Sequence, residues 1–334
     1  MRFSVVGAGG WGTAVARLLT LRGHDVILWA RRPEHAADIE MRRENREYLP
    51  DVHLPSERLE VTSSLDVAAD AEALFLAVPS FAMAELCKRL ALRAGADRIY
   101  VNLAKGIDRA SRRTMSELIQ GCTGASDVLT LSGPSHAEEV GRDMPTAVVL
   151  AGANGALTQR MQVELSTPRF RVYRTSDIRG VELCGTVKNI IALATGVSDG
   201  LGYGDNSRGA LITRGLAEMR RFVSRHGVRE ATLYGLSGLG DLVATCTSDH
   251  SRNRRVGQQL GGGRPLEEIL SEMHMVAEGI HATRIVYDMA QAEGIDMPIT
   301  EAVWRLLEVG ADPLRLVHEI MTRSPKREDG EPAA

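Results

Sequence analysis

The stretch VVGAGGWGTAVA, Val5 to Ala16, decides the fold. It places Gly7, Gly9 and Gly12 in the spacing G-x-G-x-x-G, directly after an apolar run and at the head of a helical one. A strand that turns sharply into a helix uses each glycine differently. The first makes the tight turn, the second lets backbone approach a pyrophosphate, and the third lets the helix pack on the strand. The free N–H groups and partial positive charge of the helix start then face the phosphates. Glycine-rich turns of other α/β proteins can share this spacing. Its position after a strand, before a helix and near the chain start favours a dinucleotide site.

Outward from this loop, the first half alternates short apolar runs with helical stretches such as GTAVARLLTLRG. RFSVVG, DVILWA, ALFLAVP, IYVNLAKG, DVLTLSGPS and TAVVLAG are brief and aliphatic, as strands buried on both faces are. Arg169 to Asp177 reads as the last strand. Strand–helix–strand alternation predicts a parallel sheet with right-handed crossovers. After about residue 180 only helical patterns follow: Val181–Val197, Ser207–His226, Leu266–Met273, Ile280–Glu293, Ile299–Val309 and Pro313–Thr322. Gly227, Gly294 and Gly310 fit helix stops. The predicted class is α/β, a Rossmann-type doubly wound sheet followed by an all-α domain. The predicted boundaries are 1–180, 181–322 and a frayed tail 323–334.

Bulk properties narrow the function. A chain of 334 residues is long for one core, which agrees with two domains. A net charge of −3 argues against a general nucleic-acid or membrane binder. The four cysteines, Cys87, Cys122, Cys184 and Cys246, have neither metal nor redox spacing, so a reduced cytoplasmic setting is expected. The opening MRFSVVGAGG predicts no signal peptide, and no apolar run is read as a membrane span.

Cofactor choice turns on the end of DVILWA, where an NAD-selective site commonly carries an acid for the ribose 2′-hydroxyl. Here Arg31 and Arg32 come first, and the first acid is Glu34. An arginine pair suits a 2′-phosphate, so the expected cofactor is NADP(H), NAD(H) or both, with NADP expected to bind well; solvated loop arginines are the alternative. Other strand ends deliver polar groups to the crevice above the sheet: Pro79 and Ser80, Asn102 and Lys105, Gly133 and Ser135. His136 beside Glu138 and Glu139 reads as a solvated face, so no metal is expected.

The second half holds a lone charge in an unusual place. From Leu183 to Val197 the helical pattern has one ionisable side chain of full charge, Lys188, and its neighbours a turn away are Cys184, Gly185, Ile191 and Ala192. Such a lysine can snorkel to water or serve as a base. Three more stretches are chemically unusual. SDGLGYGDNSRGA is a glycine-rich turn entering a helix, and VAEG holds Glu278. GLGDLVATCTSDHSRNRRVG holds Asp241, Thr245, Ser251, Arg252 and Asn253. If the Ser-Arg-Asn run begins a helix, its N–H groups and arginine suit a phosphate; a basic exposed helix start is the alternative.

With GAGGWGTAVA, RENREYLPDVHLP, NLAKGI, LSGPSHAEEV, GTVKNIIALATGVSDGLGYGDNSRGALITRGLAEM and the Asp-Leu…Ser-Arg-Asn string, the chain resembles the bacterial NAD(P)-dependent glycerol-3-phosphate dehydrogenase family over about residues 1–322. The resemblance implies reversible oxidation of sn-glycerol 3-phosphate to dihydroxyacetone phosphate, run as reduction to supply phospholipid synthesis. It also implies roles. Gly7, Gly9, Gly10, Trp11, Gly12, Arg31, Arg32, Tyr48, Ala137, Val276 and Glu278 would meet the cofactor. Gly133, Ser135, Asn189, Asp241, Ser251, Arg252 and Asn253 would line the substrate site, with Arg252 also reaching the cofactor. Lys105 would lie between the two, Lys188 would be the proton acceptor, and Asp241 would orient it. A homodimer is implied in the same way. Two departures are Gly10, where serine or alanine is common, and VAEG in place of VVEG. Rival readings are another two-domain dehydrogenase and a non-catalytic dinucleotide sensor; the sensor leaves Lys188 and the Asp241 string without a use.

Overall fold

The computed structural model describes residues 1–273, 276–325, 327 and 328. Its strands are β1 (Arg2–Val6), β2 (Asp25–Trp29), β3 (Glu44–Asn45), β4 (Leu49–His53), β5 (Leu59–Thr62), β6 (Ala73–Leu76), β7 (Ile99–Asn102), β8 (Val128–Ser132), β9 (Thr146–Ala151) and β10 (Phe170–Thr175). Eight form one sheet in the order β10-β9-β8-β7-β6-β1-β2-β5, and β3 with β4 make a separate antiparallel ribbon. Strand order reverses at β1, which pairs with β2 on one side and β6 on the other. That reversal opens a crevice at the carboxyl ends of β1 and β6.

The sheet is not wholly parallel, which corrects the sequence expectation: β9 runs antiparallel to β8, and β10 parallel to β9. The cause lies in LSGPSHAEEV. The chain turns at Gly133 (φ +131°), lays the short helix Ala137–Gly141 across the carboxyl edge, and re-enters from that edge. The segment lines the cleft instead of crossing back beneath the sheet. Neither β5 nor the ribbon is expected from the sequence; β5 is a four-residue edge strand with alternating exposure, a weak apolar signal. Both faces of the sheet are covered, one around Phe3, Val5 and Phe75 and the other around Val6, Leu74 and Tyr100.

The second half is helical, built around Ile178–Gly200. This helix is buried on all sides except near its ends, so it carries no narrow apolar stripe. Its length and composition would let it cross a membrane, contrary to the sequence expectation that no run qualifies, but it is the core of this domain, 94% buried there. Helix Arg252–Gly261 crosses it at close range. A Cβ on Gly196 would lie 2.0 Å from the Arg254 carbonyl oxygen, and one on Gly257 would lie 2.2 Å from that of Leu193. Glycine is therefore required at this crossing, which seats Asn253 against Asn189, the residue after Lys188. The remaining helices include Asp205–Arg225, Asp241–Thr247, Glu278–Glu293, Pro298–Val309 and Pro313–Met321. In the tail, Arg323 bonds Asp296 at 2.8 Å, while residues 326 and 329–334 of the expected fray lie outside the described residues.

Candidate active site

The glycine loop has the shape a pyrophosphate needs. Gly7 stands at φ +127°, and a Cβ there would sit 2.6 Å from the Ala77 carbonyl oxygen. A Cβ on Gly12 would fall 1.9 Å from the Gly7 oxygen, so helix and turn touch there. Gly9 differs: space is open for 4 Å around its Cβ position, and it begins helix Gly10–Leu21 with no side-chain cap. The uncapped N–H groups of that helix thus face an open cradle, which fits a dinucleotide phosphate. Ala137 closes one side, its Cβ 3.4 Å from where a Gly10 Cβ would be. Trp11 and Tyr48 are half-buried nearby in chain and fold, and Arg31 is exposed.

The expected catalytic residues converge from both halves of the chain. Lys188 Nζ donates to Asp241 Oδ1 at 2.7 Å and to Thr245 Oγ1 at 2.5 Å. Lys105 Nζ donates to the other carboxylate oxygen of Asp241 at 2.5 Å and to the Gly133 carbonyl at 3.2 Å. One carboxylate therefore holds two ammonium groups. Lys188 and Asp241 are 5% and 2% exposed. The Lys105 stem runs past Gly185, one turn before Lys188, whose Cβ position lies 3.5 Å from it, an ordinary packing distance. Snorkelling is excluded for Lys188, whose head points inward to Asp241.

Burial is the largest influence on Lys188 and pushes its pKa down; Asp241 opposes this and Lys105 adds to it, leaving a value of about 8. Desolvation thus outweighs the neighbouring cation. Burial acts against ionisation of Asp241, but Lys105 and Lys188 prevail and hold its carboxyl below the ordinary range. His136, at the head of the short cleft helix, is held below its usual value by burial first and by both lysines next.

Other expected residues have more specific places than the sequence suggests. Ser251 caps helix Arg252–Gly261, accepting from Arg254 N at 3.3 Å. Asn253 donates to Asn189 Oδ1 at 2.9 Å and accepts from Gly279 N at 2.9 Å. Its side chain is occupied within the protein, so the backbone N–H is what it offers an anion. Arg252 is reachable by solvent yet walled by protein, as a cleft residue is; desolvation lowers its pKa, opposed by Glu278 and Glu138. Arg254 instead pairs with Asp199 (2.7 Å) and Asp249 (2.9 Å). Glu278 spans the cleft, accepting from Ser80 N at 2.8 Å and Ser80 Oγ at 2.6 Å. Ser135 donates to the Gly133 carbonyl at 3.0 Å, and Val276 is half-buried just before the Glu278 helix.

Comparison with known proteins then places the chain. The family described as NAD-dependent glycerol-3-phosphate dehydrogenase matches it in two parts, the N-terminus over residues 2–158 and the C-terminus over residues 177–318. The chain belongs to this family. A glycerol-3-phosphate dehydrogenase [NAD(P)+] of Pelodictyon phaeoclathratiforme is 46% identical over 332 residues, 98% of this chain and 99% of the relative. One from Chlorobium phaeobacteroides is 47% identical with the same coverage. The crystal structure of glycerol-3-phosphate dehydrogenase from Coxiella burnetii matches with a TM-score of 0.93 at 41% identity, covering 96% of this chain and 99% of that one. The two family matches meet where the sheet half gives way to the helical half, between residues 158 and 177.

The sequence singles out Thr245 but gives it no role, and it gives no signal for Glu182. Thr245 lies one turn after Asp241, and its hydroxyl accepts from Lys188 while donating to the Asp241 carbonyl at 2.6 Å. Glu182 lies in the first turns of a helix that begins at Ile178, where an acid is an ordinary residue, so nothing in the sequence marks it as buried. Glu182 is 4% exposed and accepts from Asn102 Nδ2 (2.8 Å), Ser116 N (2.9 Å), Ser116 Oγ (2.6 Å) and Thr130 Oγ1 (2.9 Å). Burial raises its pKa, and the hydrogen bonds work against that rise. Asn102 in turn brackets Ala104, next to Lys105, through two bonds of 3.0 and 2.9 Å. Glu182 thereby ties the Lys188 helix to the Lys105 loop. Serine, threonine or asparagine partners at such sequence distances leave no periodic signal.

Proposed function

We propose that this chain is an NAD(P)-dependent sn-glycerol-3-phosphate dehydrogenase, interconverting sn-glycerol 3-phosphate and dihydroxyacetone phosphate and supplying the former for phospholipid synthesis. Residues 1–180 bind the dinucleotide and residues 181–322 carry the catalytic helix and substrate groups. The observation that supports this most is the buried Lys188–Asp241–Lys105 arrangement at the carboxyl edge of a sheet with a glycine phosphate cradle.

A nicotinamide cofactor held along the glycine loop would supply the acceptor or donor of hydride for the substrate's C2. A secondary alcohol gives up hydride only as its O–H proton leaves, so a base must stand at the oxygen. Lysine at its ordinary pKa is mostly protonated at neutral pH. With a pKa of about 8, Lys188 has a useful neutral fraction and takes the hydroxyl proton at Nζ. In reduction its ammonium donates that proton to the carbonyl oxygen. Asp241 holds Nζ in place, and Thr245 fixes a second direction around it. Lys105 lies between cofactor and substrate. Arg252 and the N–H groups opening its helix, with Ser251, Asn253, Gly133 and Ser135 around them, receive the phosphate. That remote anchor fixes the reacting carbon against Lys188. Glu278, held by Ser80, and Val276 beside it would face the cofactor from the helical half. A cytoplasmic homodimer with reduced cysteines is part of the same proposal.

The test is consumption of reduced cofactor with dihydroxyacetone phosphate, against dihydroxyacetone as control. Activity confined to the phosphate ester is expected, with Lys188→Met lowering kcat by about 10²- to 10⁴-fold. Equal activity on both ketones, or near-normal turnover by K188M at saturation, would contradict the reading.

A further inference from the structure

The adenosine end of the site holds a carboxylate that the end of β2 lacks. The turn joining β3 to β4 is bolted to the glycine loop: Asn45 Nδ2 donates to the Ala8 carbonyl at 2.9 Å and to Thr13 Oγ1 at 2.7 Å. The Tyr48 carbonyl oxygen lies 2.6 Å from the Cβ position of Gly10. These contacts fix Glu47, on the same turn, beside the segment that follows β2. Arg32 Nη2 donates to Glu47 Oε2, and His35 Nδ1 is 3.4 Å from that same oxygen. Arg32, which the sequence offers to a 2′-phosphate, is therefore already paired. Arg31 is exposed and makes no hydrogen bond or ion pair among the described residues.

We propose that Glu47 is a specificity-determining residue for the cofactor: its carboxylate accepts the ribose 2′-hydroxyl of NAD(H) and opposes the 2′-phosphate of NADP(H), for which Arg31 is the remaining receptor. The physics is that of the acid usually found at the end of the second strand, delivered here from the ribbon. A carboxylate accepts from a hydroxyl but repels a phosphate dianion across the same few ångströms, a like-charge contact that costs strongly when partly desolvated. The pairing also draws Arg32 away from the phosphate. Both cofactors bind, one through Glu47 and one through Arg31, so the balance between them is set by a single charge. The inference rests on the dinucleotide lying along the glycine loop.

Equilibrium titration of the full chain with NADH and with NADPH, without substrate, tests it. In Glu47→Gln the NADPH Kd should fall about tenfold while the NADH Kd stays within about threefold or rises. Glu47→Asp, which keeps the charge, should retain the wild-type order of preference. Arg31→Met should weaken NADPH alone. Glu47 is 34% exposed in its side chain, so neutralising it leaves the core untouched. An E47Q protein with an unchanged NADPH-to-NADH ratio, or one weakened equally for both, would overturn the proposal. A wild-type chain that binds neither cofactor would overturn the dinucleotide site with it. One that binds both but leaves dihydroxyacetone phosphate unreduced would remove the proposed activity and leave Glu47 its role.

Discussion

The two halves of the site are made of different material. The cofactor half is mainly backbone: Gly7 and Gly12 leave no room for a Cβ, and Gly9 leaves open space. The proposed catalytic half is made of ionisable side chains taken out of water, with Lys188, Asp241 and Lys105 in one cluster. A backbone cradle works through shape and the dipoles of free N–H groups, so its chemistry is largely insensitive to pH. A buried ion cluster works through a balance of large opposing electrostatic terms, so one missing partner upsets it.

That contrast gives a ranking of damage. Asp241→Asn should be the most disruptive, because two ammonium groups lose their common carboxylate. We expect about 3 kcal/mol of lost stability in chemical denaturation and at least ~100-fold lower kcat, since Lys188 is then unheld. Unchanged stability would mean the cluster is better solvated than its geometry indicates. In the cofactor half the expected effects separate by position. Gly12→Ala forces a Cβ to within 1.9 Å of the Gly7 oxygen and should cost about 2 kcal/mol through backbone displacement. Gly9→Ala meets nothing in the protein, so it should melt like the wild type and weaken dinucleotide binding about tenfold. If G9A and G12A lost stability equally, the cradle would be a packing motif and not a phosphate seat.

The same contrast explains what was legible in the sequence. A backbone site writes itself locally: G-x-G-x-x-G between strand and helix names the turn, the approach and the packing contact within one short segment. The strand–helix alternation of the first half and the helical class of the second follow from periodicity. Lys188 was visible as a charge out of place, but its partner Asp241 lies 53 residues on and could be joined to it only through family resemblance. Glu182 was hidden by its ordinary place near a helix start, and the antiparallel β9 by a loop that looked like a crossover. Asn253, read as a substrate ligand, proved to have its amide occupied by Asn189 and Gly279. Long-range pairing of polar groups has no period, and so no local signature.

The central claim is that burial makes Lys188 the base. The most direct measurement is kcat against pH for oxidation, with both substrates saturating. Lys188 is depressed to about 8, so its neutral form predominates above that value and is lost as pH falls through it. Oxidation should therefore rise with pH to a plateau with its midpoint near 8, and the chemical step of reduction should fall over the same range, because it needs the ammonium. An oxidation rate flat from about pH 6 to pH 10, or one with its midpoint at the ordinary lysine value, would contradict the account.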